Sequence, residues 1–292
     1  MKIDPQCVPC LLKRVLYETR LTTATEPQRT EAVKAACAVL AEAYSPQGSS
    51  AAIATRVHRA VYHALNNHDP YHDLKRRSTK EAIALTDTVE RFIARSDDRV
   101  KSSLLCAAIG NMLDFGIEGA GTAPEALATV FQELYRKGFG HDDYPALSRH
   151  LAKARTLLFF TDNCGEHVFD KILCRELRQH YPDLKISLVV KGVPILSDAT
   201  LSDVTDIGFS EVVDNILTTE AFAVGIPVDP IPHRLGSALS KADLIIAKGM
   251  ANYESFSEAL VKPVAFILRT KCQPIAASMK LPLNISALKV YE

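Results

Sequence analysis

The chain has 292 residues, with 34 basic and 34 acidic side chains, so its formal charge is zero, and neither sign gathers in a long block. That balance argues against nucleic acid or an anionic membrane as the main partner, and no apolar segment approaches the ~20 residues that cross a bilayer. The start Met-Lys-Ile-Asp-Pro lacks an apolar run, and seven scattered cysteines make no extracellular framework; both point to a soluble, cytoplasmic protein with reduced thiols. The oligomeric state has no signature in the sequence.

The length suits one large or two modest domains, and the patterns divide it in two: an all-helical part over 1–153 and an α/β part over 154–292. Asp4-Pro5 opens a helix to about 21, with Asp as cap and Pro at the first helical position and Val8, Leu11, Leu12, Val15 and Leu16 on one face. It carries Cys7 and Cys10, a CxxC pair sharing that helix face. A structural zinc site needs two more ligands, and no second CxxC or HxxxH is present, so packing outweighs a secondary metal or redox role. Thr25-Glu-Pro starts a helix to about Tyr44, Ser49 or Ser50 another to about Asn66, and a charge-rich helix is predicted over 71–95. His58, His63, His68 and His72 do not hold one helical face and read as core and surface histidines.

Asp97 or Asp98 caps a helix that runs into Gly110-Asn-Met-Leu-Asp-Phe-Gly116. Asn111 and Asp114, three apart, place two oxygen-bearing side chains on one face of an apolar segment. Such a pair either satisfies a neighbouring loop or lines a polar cavity, and the residues alone favour the loop. Helices near 124–137 and 143–153 complete a half with no predicted strand.

From Thr156 the pattern alternates: strand 156–161, helix 165–180, strand 185–191, helix 200–206, strand 210–214, helix 233–240, strand 242–247, a helix from Tyr253, strand 263–269, helix 273–279 and a final strand within 283–290. This order implies right-handed crossovers and a doubly wound, mostly parallel sheet with helices on both faces. Ligands of such sheets bind at the C-terminal strand edge. The strands lead into Asp162-Asn-Cys-Gly-Glu166, Lys191-Gly-Val-Pro-Ile-Leu-Ser-Asp198, Asp214-Asn215, Lys248-Gly-Met-Ala-Asn252 and Arg269-Thr-Lys271. Asp162-Asn163 could be only a helix cap and turn, and Glu166 only a favourable charge in a first turn. The recurrence of acids, amides and lysines at one edge goes beyond capping. Hard oxygen donors suit one divalent cation such as magnesium or manganese, which shares a substrate phosphate, and lysines answer the remaining charge. No GxGxxG, P-loop or GxSxG motif occurs.

The segments MKIDPQCVPCLLKR, GNMLDFG, TDNCGEHVFD, KGVPILSDAT, AKGMANYES and RTKC together resemble the metal-dependent damage-control phosphatases, with the CxxC of their stand-alone subfamily. The resemblance implies a helical part packed on a Rossmann-like α/β domain and hydrolysis of small phosphorylated metabolites with one divalent cation, whether Mg, Mn, Co or Ni. By that resemblance Asp162, Asn163 and Asp198 hold the metal; Lys248, Asn252 and Lys271 are phosphate-side groups; Asn111 and Asp114 fall in a cavity segment. Ser197 stands where close relatives carry Asn. The attacking group is expected to be a water, with Asp162, Glu166 and Asp170 as alternative bases. Two other functions fit parts of the pattern. An open α/β sheet also suits an S-adenosylmethionine-dependent carboxyl methyltransferase, but that cofactor needs a glycine-rich first loop and this one is acidic. A CxxC metal or redox module would rest on Cys7 and Cys10 alone.

Overall fold

The structure, a computed structural model, describes residues 1–111, 124–227, 231–258 and 263–292. Asp114 lies outside the described residues.

Helices fill the first half. They are α1 (Cys7–Arg20), α2 (Glu26–Ala43), α3 (Ser50–Leu65), α4 (His72–Ala84), α5 (Thr86–Ala94), α6 (Arg99–Gly110), α7 (Pro124–Lys137) and α8 (Tyr144–Leu151). Their starts follow local chemistry: Thr25 and Gln28 make a capping box for α2, and the Asp98 carboxylate accepts from Lys101 N at the start of α6. Val15, Ala32, Ala36, Val57 and Val61 close one core between α1, α2 and α3. His58 is buried against Glu18, while His63, His68 and His72 are exposed, as core and surface histidines should be.

The remaining elements are β2 (Thr156–Phe160), α9 (Glu166–His180), β3 (Lys185–Val190), α10 (Leu201–Asp206), β4 (Asn215–Thr218), α11 (His233–Lys241), β5 (Leu244–Lys248), α12 (Gly249–Phe256), β6 (Val264–Arg269), α13 (Gln273–Met279) and β7 (Ser286–Tyr291), with β1 (His141–Asp142) ahead of them. One seven-stranded sheet runs β1-β7-β6-β5-β2-β3-β4. All its pairs are parallel except β6 with β7, which is the doubly wound, mostly parallel α/β fold expected. Leu157, Phe159, Leu188, Ile246 and Ile267 pack one sheet face under α6, α8 and α9. Leu158, Phe160, Ala247 and Phe266 pack the other under α11, α12 and α13. Burial on both faces explains why the central strands read as unbroken apolar runs. Among the described residues no helix is long and apolar enough to cross a membrane.

Four expectations need correction. The helix expected over 71–95 is two, α4 and α5, joined at Leu85, whose side chain is buried in the core between α5, α6, α7 and α9. The helical half also contributes a strand: β1 pairs with β7, through His141 with Ala287 and Asp142 with Leu288. Two residues are too few for a periodic signal. The third strand of the α/β part starts at Asn215, because Phe209 turns inward on a short 3-10 helix before it. Asp214-Asn215 therefore sits at the N-terminal sheet edge, where the Asp214 carboxylate accepts from Ile186 N at 2.9 Å, and leaves the group of strand-end acids. Finally, α12 starts at Gly249 directly after β5, four residues before Tyr253.

Candidate active site

The strand order reverses between β2 and β5, and the crevice at that point is where a doubly wound sheet binds its ligand. Four segments converge there: the β2–α9 turn, the loop after β3, the β5–α12 junction and the C-terminus of α6.

The first two are knitted together by backbone. Asn163 and Asp198 form an antiparallel bridge, Cys164 N donates to Ser197 O at 2.7 Å, and Ala199 N donates to Asp162 O at 2.9 Å. Asp162, Asn163 and Asp198 thereby come side by side, as their strand-end positions implied. Ser197, the departure from the family pattern, donates its hydroxyl to Asn163 Oδ1 at 2.6 Å and orients that amide. Asn163 Nδ2 donates to Asp162 Oδ2 at 2.7 Å and to Glu166 Oε1 at 3.0 Å.

Asn111 enters from the end of α6. Its amide donates to Asp162 Oδ2 at 3.0 Å and Glu166 Oε1 at 2.9 Å, and its Oδ1 accepts from Arg269 N at 3.3 Å. Gly110 permits the approach, since a Cβ there would lie 2.8 Å from Phe169 and 3.0 Å from Glu166 Cβ. The polar residue on the apolar helix thus faces the acids rather than serving a neighbouring loop alone.

Lys248 departs from its expected role. It is fully buried, and its ammonium donates to Ala107 O at 3.0 Å, Glu166 Oε2 at 3.1 Å and Asp170 Oδ1 at 2.5 Å. Three protons meet three protein acceptors, so this lysine is an internal counter-ion with none left for a phosphate. Asn252 Nδ2 donates to Thr161 O at 2.9 Å and Lys248 O at 2.8 Å, tying the ends of β2 and β5. Lys271 is exposed after β6 and within electrostatic reach of Asp162. Lys191, which the sequence places at this edge without a defined role, is a buried cation; it pairs with Asp198 at 3.2 Å and also donates to Gly225 O. The signal was present, because Lys191-Gly192 and Lys248-Gly249 are the same dipeptide at two strand ends.

Burial sets the electrostatics. It pushes Asp162 far above the usual carboxylate range, with Glu166 and Asp198 adding to it and Lys191 and Lys271 opposing it. Asp198 is raised by burial too, against the pull of Lys191. Asp170 is pushed up to about 7 by burial while Lys248 pulls it down, and its Oδ2 is buried without a hydrogen-bond partner. Glu166 ends below its ordinary value: burial works against its charge, but Lys248, Asn163 and Asn111 outweigh it. Asp162, Glu166, Asp170 and Asp198 are four buried carboxylates facing two buried ammoniums, Lys191 and Lys248. Two negative charges are left over, and among the described residues Asp162 has no ion-pair partner within 4.0 Å. Protons or a cation must supply the difference.

A divalent cation fits that deficit and the hard oxygen donors of Asp162, Asn163 and Asp198. Among the described residues no three His, Cys, Asp or Glu side chains converge into a preformed cage. Two carboxylates and an amide leave positions open for water and phosphate oxygens, as magnesium prefers. The same count leaves Cys7 and Cys10 without a preformed metal site. Cys7 is half-buried and Cys10 exposed, so packing accounts for Cys7 alone. Cys272 joins their neighbourhood: its thiol is raised first by burial, then by Glu254, Cys7 and Cys10.

A sequence model of the damage-control phosphatase ARMT1-like domain matches residues 3–284. The chain is 36% identical over 292 residues to a damage-control phosphatase of Archaeoglobus fulgidus, with 100% of both chains covered. It is 29% identical over 282 residues to a damage-control phosphatase of Pyrococcus horikoshii, covering 97% of this chain and 96% of that one. The crystal structure of a DUF89 family protein from Pyrococcus horikoshii superposes with a TM-score of 0.92 at 27% identity, covering 100% of both chains. With the match running from the first helix through the last strand-end loop, the chain belongs to the damage-control phosphatase family of the ARMT1-like kind.

Proposed function

We propose that this protein is a metal-dependent phosphatase of small phosphorylated metabolites, with Asp162, Asn163 and Asp198 holding one divalent cation. The observation that carries the reading is the charge deficit: four buried carboxylates against two buried ammoniums, at the sheet's switch point. A divalent cation bound there supplies Lewis-acid polarisation of a phosphoryl oxygen and lowers the pKa of a bound water.

The chain's own groups divide the remaining work. Lys271, exposed at the rim, offsets charge on the phosphoryl oxygens. Asn111 and Asn163 fix Asp162 Oδ2 by hydrogen bonds, and among the described residues Asp162 Oδ1 accepts none, which leaves it to ligate the cation. Glu166 is held ionised by Lys248 and two asparagines with both oxygens engaged, and Asp170 is fully buried behind Lys248, its unpartnered Oδ2 included, so neither reaches a water in the crevice. They act as the internal negative charge that keeps Lys248 in place.

The test is hydrolysis of p-nitrophenyl phosphate after dialysis against EDTA, with and without added Mn2+. Activity should vanish on chelation and return with Mn2+. Hydrolysis persisting in excess chelator, with no metal by elemental analysis, would refute the reading. Asp162→Ala and Asp198→Ala should each lose activity by orders of magnitude and Asn163→Ala less, since only the first two remove an anionic donor.

A further inference from the structure

The loop after β3 closes on itself, with Lys191 N donating to Ala199 O at 2.9 Å and Asp198 N to Ile195 O at 3.2 Å around Leu196, and it is also held from outside. Leu196, two residues before Asp198, has a left-handed φ of +50°, a conformation that costs a bulky side chain about 1 to 2 kcal/mol and persists only where neighbours enforce it. The contact made by Leu196 itself comes from the helical half: Leu196 N donates to the Tyr62 phenol oxygen at 2.9 Å, across 134 residues of sequence. Tyr62 is buried on α3, with its ring edge-on to Phe222 at 5.4 Å. Burial, then Glu18, pushes its phenol up, so the oxygen stays protonated and neutral at any working pH. Beyond Asp198 the loop is gripped a second time by the same half. Lys75 of α4 reaches Asp203 at 3.2 Å, and Asp203 accepts from Thr200 N at 2.9 Å and Thr200 Oγ1 at 2.6 Å.

We propose that Tyr62 is a positioning residue of the site: by holding the strained backbone at Leu196 it sets Ser197 and Asp198 against Asp162 and Asn163. This rests on the metal-site reading above. Leverage is short, since Ser197 contacts both the Asn163 amide and the Cys164 backbone. The helical half is therefore part of the site's architecture, and a ligand touching α3 would act on metal affinity through one hydrogen bond.

Hydrogen exchange of the peptide spanning 192–199, Mn2+ calorimetry and steady-state kinetics on p-nitrophenyl phosphate test this together. In the wild type the Leu196 amide should be protected; free exchange there overturns the proposal with no variant needed. Tyr62→Phe keeps the ring and deletes the acceptor. It should expose the 192–199 amides, weaken Mn2+ binding about tenfold and lower kcat while KM stays near its wild-type value, the scale expected for one lost hydrogen bond. Tyr71→Phe removes another buried phenol of the same half, hydrogen-bonded to Glu18 at 3.4 Å and to Arg14 rather than to the loop after β3, and should leave Mn2+ affinity unchanged. Tyr62→Phe with wild-type Mn2+ affinity, or Tyr71→Phe with an equal loss, refutes the positioning role. A wild-type chain that binds no Mn2+ refutes the functional reading and this inference with it, so the two failures are told apart.

Discussion

Gly249→Ala is the sharpest perturbation the site offers, because it adds a single methyl group. Gly249 has φ +77°, and a Cβ built there falls inside the Asp162 carboxylate, 2.7 Å from Oδ1 and closer still to Cγ and Oδ2. The left-handed backbone costs an alanine about 1 to 2 kcal/mol. Relieving the overlap requires the carboxylate to withdraw, and its bonds from Asn111 Nδ2 at 3.0 Å and Asn163 Nδ2 at 2.7 Å go with it. Hydrogen bonds to a charged group are worth roughly 1.5 to 3 kcal/mol each, and partial relaxation recovers some of that, so we expect a total loss of about 3 to 5 kcal/mol. Urea unfolding measures the stability, and calorimetric titration with Mn2+ measures what remains of the cation site, where a loss of at least about 100-fold is expected from displacing one anionic donor. A variant within about 0.5 kcal/mol of wild type, with unchanged Mn2+ affinity, would show that Gly249 and Asp162 are not in contact and sink the geometry described for the β5–α12 junction.

Three further outcomes follow from buried charge and from the cysteine pair. Lys248→Met should cost about 3 to 5 kcal/mol in urea unfolding, because Glu166 and Asp170 are left buried without their cation; a loss below about 1 kcal/mol would mean the pair is not buried as described. His167 is fully buried, and burial lowers its pKa to about 4 while Asp203 pulls it upward. With a depressed native pKa the unfolded chain takes up the proton first, so this group's contribution is complete above about pH 6.5 and is lost as pH falls toward 4, by roughly 3 kcal/mol. The wild-type minus His167→Asn difference in unfolding free energy should shrink by that amount between pH 7 and pH 4, and a pH-independent difference would contradict it. Replacing Cys10 by Ala should change stability by less than about 0.5 kcal/mol and replacing Cys7 by about 1 kcal/mol, in line with their exposed and half-buried positions; equal costs would place Cys10 in the core.

The convergence of Asp162, Asn163 and Asp198 was legible because strand ends in a parallel sheet share one edge, and each follows an unmistakable apolar run. Lys248 was legible as a site residue but not in its environment. Whether a strand-end lysine faces solvent or a pair of acids depends on how closely α6 and α9 approach, and Gly110 sets that through a contact no local pattern encodes. Asp214 was assigned to the wrong edge because a four-residue strand can slide along its polar flanks with little change of pattern. Tyr62 had no signal at all. An inward tyrosine on an amphipathic helix reads as core, and only the fold shows that its oxygen meets a strained backbone from the other half.

The strand order also governs when this site can exist during synthesis. β2 is made early, yet one of its two neighbours is β5, and the sheet edge at β1 waits for β7. Until residue 248 has left the ribosome, Glu166 and Asp170 have no ammonium to meet, and α9 cannot bury them without stranding two charges. The nascent chain must therefore keep that face of α9 wet while α1 to α3 are free to close their own core. Such long-range pairing makes for slow completion of the sheet, and the docking of β5 between β2 and β6 seals the charge cluster and shapes the crevice in one step.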